Sequence, residues 1–168
     1  MTTDEATLAI EQIVGLQTDE TRGLLSETVE RAFDGDIARL ATFAATLMAA
    51  LPGGTKLYLR GSAVQGESYV SHQPFDAGGP GSSDLDVVVC GSEVMALFSE
   101  DGFYLPGVNS RPLCDDRRDV APFLDEARTR AQELAGRPVS VQAMAELFLD
   151  VRSVAQGTSY LAIGIVPG

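Results

Sequence analysis

Two aspartates separated by one residue are the first feature of the sequence that could do chemistry. Asp84 and Asp86 flank Leu85 and precede three valines, a pattern that predicts a strand beginning with its carboxylates. Side chains two residues apart on a strand point to the same side, with Cα atoms about 6.6 Å apart at a rise of about 3.3 Å per residue. Magnesium is commonly held by one or two carboxylates together with phosphate oxygens and water. The pair therefore predicts a site for a divalent cation and a phosphorylated ligand.

A Gly-Ser dipeptide upstream could complete that site. The segment Lys56–Arg60 predicts a short strand that leads directly into Gly61 and Ser62. Glycine lets the backbone come close to a ligand, and the Ser62 hydroxyl and the amides of a turn through Gly66 can donate hydrogen bonds to phosphate oxygens. A phosphate-binding turn beside a metal pair is suited to in-line displacement at the α-phosphate of a nucleotide, with pyrophosphate leaving.

The order of these segments resembles the nucleotidyltransferase superfamily typified by DNA polymerase beta. The resemblance covers mainly residues 56–90. It extends to small bacterial nucleotidyltransferase-domain proteins, in which an Arg-Gly-Ser-Ala stretch, a Pro-Phe-Asp segment and a Ser-Asp-Leu-Asp segment follow one another. In this chain those segments are residues 60–63, 74–76 and 83–86.

This resemblance implies a mixed β-sheet flanked by helices, in the α/β or α+β class. It implies transfer of a nucleoside monophosphate, with AMP from ATP as the first candidate, to a hydroxyl of a small molecule or protein. It also implies that Asp84 and Asp86 hold Mg²⁺ or Mn²⁺ and act as catalytic residues. Gly61 and Ser62 are then expected to bind the nucleoside triphosphate.

Two features of the sequence depart from the family pattern. Asp84 follows Ser62 by 22 residues, so the loop between them must fold back for the two halves to meet. Active members also place a third carboxylate on a later strand, where it serves the attacking hydroxyl. The predicted strand Val139–Ala143 offers Gln142 instead, and a neutral amide is neither a base nor a good metal ligand. Carboxylates that could substitute belong to Asp76, Glu146 and Asp150.

Three hypotheses about function follow from these residues. The first is a metal-dependent nucleotidyltransferase, and the alternative is a nucleotide-binding module of the same fold that is catalytically weak or inactive. A third, an interaction domain without ligand, predicts that Gly61 and Asp84 lie apart in space. Phosphatases of the haloacid dehalogenase type and glycosyltransferases also use an Asp-x-Asp pair, but there the pair follows a hydrophobic strand. Here residues 79–83, Gly-Pro-Gly-Ser-Ser, precede it.

Length and periodicity predict one domain, with helices in residues 1–54 and the sheet with its site in residues 55–168. Apolar residues at steps of three and four from Phe33 to Leu51 predict a helix that packs on the sheet. Another helix is expected to open at Pro122 and stop at Gly136. Its inner stripe is expected to be Phe123, Ala127, Ala131 and Leu134. Further strands are expected at residues 139–143 and 160–166, short helices at 91–100 and 146–151, and loops at 62–83 and 105–113.

Charge limits the partners. With 24 acidic and 12 basic residues the net charge is −12, which repels the phosphate backbone of long nucleic acid. A local basic spot from Arg60, Arg111, Arg117 and Arg118 could still accept a triphosphate. No apolar run is long enough for a bilayer and the first residues are acidic, so a cytoplasmic protein without membrane association is expected. The acceptor site is expected to need a partner chain or a second copy.

Overall fold

The computed structural model describes all 168 residues, and three helices precede its first strand. Each helix begins after a residue whose side chain accepts a hydrogen bond from a backbone amide of the first turn, namely Thr2, Thr18 and Asp36. Such caps satisfy amides that have no partner inside the helix. The three helices are α1 (Thr3–Gly15), α2 (Asp19–Ala32) and α3 (Ile37–Met48).

The remainder of the chain alternates strands with helices. A one-turn helix and a long loop separate the first two strands, and a small hairpin lies in the middle of this part. In chain order the elements are β1 (Lys56–Arg60), α4 (Ser62–Gln65), β2 (Leu85–Cys90), α5 (Ser92–Leu97), β3 (Phe103–Leu105), β4 (Asn109–Ser110), α6 (Pro122–Ala135), β5 (Val139–Ala143), α7 (Glu146–Gln156) and β6 (Leu161–Ile165).

Four strands form one mixed sheet in the order β5-β2-β1-β6. Of the two inner strands, β1 is antiparallel to both β2 and β6, whereas β2 is parallel to β5. The register places Arg60 of β1 opposite Asp86 of β2, and Asp86 next to Ser140 of β5. A mixed sheet flanked by helices, in the α+β class, is therefore confirmed.

The two sides of this sheet differ in chemistry because successive strand residues face opposite sides. Leu59, Val87 and Val141 belong to one cluster of 31 buried hydrophobic residues that also includes α1, α2, α3 and α6. The other side carries Arg60 and Asp86 near one end, and α7 covers only part of it. A small cluster between α7 and the sheet consists of Val88, Cys90, Met144 and Leu149, the last of which belongs to α7. The sheet thus keeps its core on one side and its reactive side chains on the other.

The predicted helix from Phe33 to Leu51 is shorter in the structure. Asp34 and Gly35 both adopt positive φ angles and turn the chain, so Phe33 closes α2 and a new helix starts after Asp36. Phe33 and Leu51 are nevertheless buried, because the turns at both ends of α3 return them to the core. The apolar stripe was therefore interpreted correctly as a core surface, but it spans more than one helix.

Helix α6 begins and ends where predicted, with Gly136 in a left-handed conformation at its C-cap. Of its predicted inner stripe, Ala131 is buried and Phe123 and Ala127 pack half-buried against the core, but Leu134 is exposed and was wrongly included. Arg128 is fully buried instead, because its guanidinium binds Asp115, Asp125 and a backbone carbonyl of β5. The buried residues of α6 are Leu124, Arg128, Ala131 and Ala135.

Two later segments also differ from the prediction. The loop expected at residues 105–113 contributes the β3–β4 hairpin, whose second strand contacts β5. Helix α7 continues five residues beyond residue 151, to Gln156. None of the seven helices has the length and apolar character required to cross a membrane.

Candidate functional site

Gly61 and Asp86 touch each other, so the two halves of the predicted site lie together. Gly61 has a φ of 77°, and a Cβ atom built on it would lie 2.7 Å from Oδ2 of Asp86. No other residue type could occupy this position without displacing the carboxylate. The interaction-domain hypothesis predicted that these segments lie apart, and that prediction is wrong, since Gly61, Ser62 and Asp84 also line one cleft.

The turn after Gly61 offers fewer free amides than predicted. The amides of Val64 and Gln65 donate to the Gly61 carbonyl, and the Gly66 amide donates to the Ser62 carbonyl. These bonds close α4 and occupy three of the proposed phosphate donors. The Ser62 hydroxyl makes no hydrogen bond within the chain and lies in the same cleft as the aspartates. The Ser62 hydroxyl therefore remains available to a ligand.

The long loop between the two halves folds back, as the spacing required. Glu67 and Pro74 form an isolated β-bridge, and the Phe75 amide donates to the Gly66 carbonyl. Farther along, Asp76 accepts hydrogen bonds from the backbone amides of residues 81 and 83, and its own amide donates to the Ser83 hydroxyl. These contacts bring Asp84 back beside Gly61.

Asp76 anchors this loop and is not available as a third acid. Both oxygens of its carboxylate accept from the Arg137 guanidinium, at 2.8 and 3.0 Å, and that guanidinium also stacks on Phe75 at 4.5 Å. Burial alone would raise the pKa of Asp76, but the hydrogen bonds from Arg137 and from the amides of Ser83 and Gly81 lower it to about 2. The Pro-Phe-Asp segment therefore has a structural role.

The other two proposed substitutes also lie elsewhere. Glu146 forms an ion pair with Lys56 at the far end of β1. Asp150 is exposed on α7 and does not line the cleft of the aspartate pair. No group of three or more histidine, cysteine, aspartate or glutamate residues in the chain could hold a metal ion. The pair would leave the remaining coordination positions to phosphate and water.

The residue of β5 beside Asp86 is Ser140, not Gln142. Ser140 aligns with Asp86 in the parallel ladder, and its hydroxyl donates to Asp86 Oδ1 at 2.7 Å. Gln142 aligns with Val88, one step farther along the same side of the sheet. Gln142 faces the same side of the sheet as Asp86, as predicted, but the residue of β5 next to that carboxylate is Ser140. A serine hydroxyl at this position is neutral, as the amide would be.

The charge of the aspartate pair is only partly compensated. Asp84 is exposed overall, yet loss of water around its carboxyl raises its pKa, and the negative charge of Asp86 raises it further. The positive charge of Arg60 acts in the opposite direction without reversing the shift. No lysine or arginine forms an ion pair with either aspartate. A cation placed between the two carboxylates would relieve this repulsion.

A cleft of about 800 Å³ contains all four predicted site residues. One wall is formed by Gly61, Ser62 and the aspartates, and another by the loop around Tyr69. Sequence reasoning missed the third wall, which comes from the end of α7, because that helix was expected to stop at residue 151. The cleft residues contributed by this wall and by the segment after it are Arg152, Gln156 and Thr158.

The predicted basic spot does not form. Arg60 lines the cleft, but Arg111, Arg117 and Arg118 do not. Arg111 lies over the ring of exposed Tyr104 at 5.1 Å, and Arg118 makes ion pairs with Asp115 and Asp125. The positive charge of the cleft comes from Arg60 and from Arg152, which was not predicted.

A second cleft, of about 930 Å³, lies beside α5 and the β3–β4 hairpin. Met95, Phe98 and Phe103 give it an apolar floor, and Glu146 contributes a carboxylate that is already paired with Lys56. It contains neither the glycine-serine turn nor the aspartate pair. The cleft of about 800 Å³, which contains the aspartate pair, is therefore the candidate functional site.

No protein-family model, curated protein or solved structure matched this chain. The geometry described above is thus the basis on which the roles of Gly61, Ser62, Asp84 and Asp86 are proposed.

Proposed function

We propose that this chain is a nucleotidyltransferase-type protein that binds a nucleoside triphosphate together with Mg²⁺ or Mn²⁺ in the cleft of Gly61, Ser62, Asp84 and Asp86. In its full form the proposal includes transfer of a nucleoside monophosphate, AMP from ATP being the first candidate, to a hydroxyl of a small molecule or protein. The observation that carries the proposal is the contact of Gly61 with the carboxylate of Asp86. Because of this contact, we place the proposed phosphate-binding turn and the acid pair in a single site.

Each residue of the cleft has a separate role in this proposal. Asp84 and Asp86 would hold the cation, and the Ser62 hydroxyl would donate to a phosphate oxygen. Gly61 lets the phosphates approach the carboxylates without a side chain between them. A bound divalent cation would neutralise charge on the phosphates and lower the pKa of the attacking hydroxyl. Pyrophosphate would leave in line with that hydroxyl.

Nucleotide binding without transfer is the second candidate, and the register of β5 favours it. Ser140 occupies the position beside Asp86, where a third carboxylate could accept the proton of the attacking hydroxyl. The carboxylates of Asp76, Glu146 and Asp150 do not replace it. The two candidates share the same ligand site and differ in turnover.

The first experiment is calorimetric titration of each nucleoside triphosphate with and without Mg²⁺. We expect metal-dependent binding by the native protein and its loss in the Asp84→Asn, Asp86→Asn double variant. The matched control is Asp101→Asn, Asp116→Asn, which removes the same charge at exposed positions outside the cleft. Absence of binding to every triphosphate, or equal losses in the two double variants, would refute the proposed site.

A second experiment separates transfer from binding. The protein is incubated with Mg²⁺ and ATP labelled at the α-phosphate, alone and with hydroxyl-bearing acceptors, and both pyrophosphate release and labelled products are measured. Label transferred by the native protein but not by the double aspartate variant supports the enzyme. Tight metal-dependent binding with no release of pyrophosphate in any mixture supports the binding module. Light scattering on the same samples measures the oligomeric state and so tests the expectation of a partner chain or second copy. A monomer that is active on a free small acceptor would contradict that expectation.

A further inference from the structure

The distribution of ion pairs singles out four arginines. Eight of the 12 basic side chains form ion pairs with carboxylates, which is expected in a chain with twice as many acids. The four without a carboxylate within 4.0 Å are Arg60, Arg111, Arg117 and Arg152. Arg111 and Arg117 both contact exposed Tyr104. Arg60 and Arg152 line the cleft of the aspartate pair.

Arg60 is held in place by an amide rather than by an acid. One of its terminal nitrogens donates to Gln142 Oε1 at 3.0 Å, and its buried Nε atom has no partner. Gln142 is itself fixed, because its amide nitrogen donates to Asn109 Oδ1 at 2.7 Å and to the Ser110 carbonyl. A carbonyl oxygen orients a guanidinium without cancelling its charge, whereas a carboxylate would do both. Arg60 therefore keeps a full positive charge beside the aspartates.

Arg152 supplies a second uncompensated charge from α7. Its Nε atom donates to Gln156 at 3.3 Å, and its guanidinium lies 5.8 Å from the centre of the Phe148 ring. Both partners leave the charge intact while they restrict the side chain. The cleft thus combines two carboxylates that lack a cation with two guanidiniums that lack an anion. A ligand that carries a metal ion on a chain of several phosphates satisfies all four groups.

We infer that Arg60 and Arg152 bind the phosphate chain of the ligand, and that Gln142 is a positioning residue that directs Arg60 into the cleft and leaves its charge uncompensated. This inference rests on the proposed function in that both concern the same cleft, but it names the phosphate chain, rather than the nucleoside, as the recognised group. It also explains why residue 142 carries an amide and not a carboxylate. An acid at that position would neutralise the arginine on which the ligand depends.

The test measures the affinity of magnesium-loaded inorganic tripolyphosphate and of magnesium-loaded ATP. The cleft variants are Arg60→Met and Arg152→Gln, and the matched controls are Arg111→Gln and Arg117→Gln, the two other arginines that lack a carboxylate partner. We expect each cleft variant to weaken both ligands by about tenfold or more, because each loses a charge-assisted hydrogen bond. Each control should change affinity by less than about twofold. Similar changes in all four variants would overturn the inference.

A double-mutant cycle tests the positioning role of Gln142. Gln142→Glu should weaken tripolyphosphate binding by about tenfold in the native background. In the Arg60→Met background the same change should have little effect, because no guanidinium remains to be neutralised. A merely structural role would give the same loss in both backgrounds and would overturn this part. Thermal unfolding of each variant identifies any loss of affinity that follows from misfolding. If the Arg60 or Gln142 variants misfold, Arg152→Gln, which changes a half-buried side chain, still tests whether the cleft arginines bind the phosphate chain.

The two ligands also separate this inference from the proposed function. If ATP binding requires magnesium and the aspartates but is unaffected by the cleft arginines, the inference fails and the nucleotide site stands. If tripolyphosphate binds with arginine dependence while no nucleoside triphosphate binds more tightly, the inference stands and recognition of a nucleoside fails. If neither ligand binds, both fail.

Discussion

Asp76 and the Asp84–Asp86 pair are neighbours in the sequence but opposite in their surroundings. Asp76 receives four hydrogen bonds, two from Arg137 and two from backbone amides, and its pKa falls to about 2. The pair has no arginine or lysine partner, and the pKa of Asp84 is raised. The first region contains a carboxylate whose ionised form the fold stabilises. The second contains two carboxylates without an ion-pair partner, and folding disfavours the ionised form of one of them, Asp84.

This difference separates a structural acid from a candidate functional one. All three aspartates belong to segments that resemble family motifs, so the motif alone does not distinguish their roles. The partners do, because a carboxylate that already has an arginine and several hydrogen-bond donors gains little from a ligand, whereas two adjacent carboxylates without an ion-pair partner gain a great deal. The variant with the largest expected effect changes Gly61, the glycine that touches Asp86.

Gly61→Ala should both destabilise the protein and remove metal-dependent nucleotide binding. A side chain at a φ of 77° is strained, and its Cβ would meet Asp86 Oδ2, so we expect a loss of about 3 kcal/mol in the free energy of unfolding. Gly54→Ala is the matched control, since Gly54 has a φ of 79° but open space around it. Urea unfolding and titration measure both effects. Equal losses in the two variants would show that strain, and not contact with Asp86, dominates.

Asp76→Asn should be nearly as destabilising but should act through the loop. It leaves Arg137, whose side chain is 8% exposed, without a counter-charge, so we expect a loss of about 3 kcal/mol in the free energy of unfolding. Glu126→Gln, which breaks an exposed ion pair with Arg130, serves as control and should cost under about 0.5 kcal/mol. An unchanged urea midpoint for Asp76→Asn would contradict the structural role of Asp76 and, with it, the difference between Asp76 and the aspartate pair.

Ser140→Asp should tighten metal binding at the pair. The new carboxylate would lie beside Asp86 and add a third acidic ligand, so we expect about a tenfold gain in Mg²⁺ affinity in the presence of ATP. Ser140→Asn, which has a similar shape and no charge, should produce no gain. If the gain is accompanied by new release of pyrophosphate, the missing acid is what limits turnover. An unchanged Mg²⁺ affinity would show that the cation does not bind beside Asp86.

Acidification should affect the stability of the native protein through Asp76. Its pKa lies near 2 in the folded protein, below its ordinary value of 3.8, so the unfolded chain binds more protons at intermediate pH. The stabilisation from Asp76 is complete above about pH 4 and disappears as the pH falls towards 2. Urea unfolding between pH 5 and pH 2 should therefore show a steeper loss for the native protein than for Asp76→Asn. Parallel curves would contradict the assignment.

Asp84→Asn should have the smallest effect on stability, with the opposite sign to that of Asp76→Asn. The raised pKa means that folding disfavours the ionised form of Asp84, so removal of the charge should stabilise the free protein at neutral pH. Because Asp84 is exposed, the gain should be less than about 1 kcal/mol. A small gain in unfolding free energy, combined with lost ligand binding, would be the signature of a functional carboxylate. A clear destabilisation would give Asp84 a structural role.

Local signals in the sequence were sufficient for the elements that bear the site. Pro122 and Gly136 bound α6 correctly because both constrain the backbone directly. The strand beginning beside Asp84 and the strand leading to Gly61 were also predicted to within a residue. Arg128 on the inner side of α6 was missed because partners distant in sequence bury it, and no periodicity of apolar residues reports such a charge.

The register between strands was not accessible from the sequence in the same way. Which residue of β5 lies beside Asp86 depends on how two strands far apart in the chain align, and the choice between Ser140 and Gln142 follows only from their pairing. The contact of Arg60 with Gln142, across 82 positions, depends on the same alignment. The wall from α7 was missed although the sequence carries a signal for it, because Gly157 adopts a left-handed conformation and closes the helix directly after Gln156.

The alternation of residues on β2 has a consequence for how this protein can change over evolutionary time. Leu85, Val87 and Val89 serve the core while Asp86 serves the cleft, so a substitution at one position leaves the other purpose intact. Loss of a single codon within this strand would instead exchange the two sets, directing a carboxylate into the hydrophobic interior and a valine into the cleft. Homologous chains should therefore vary in length within the loop of residues 66–83 and hardly at all within β1, β2 and β5.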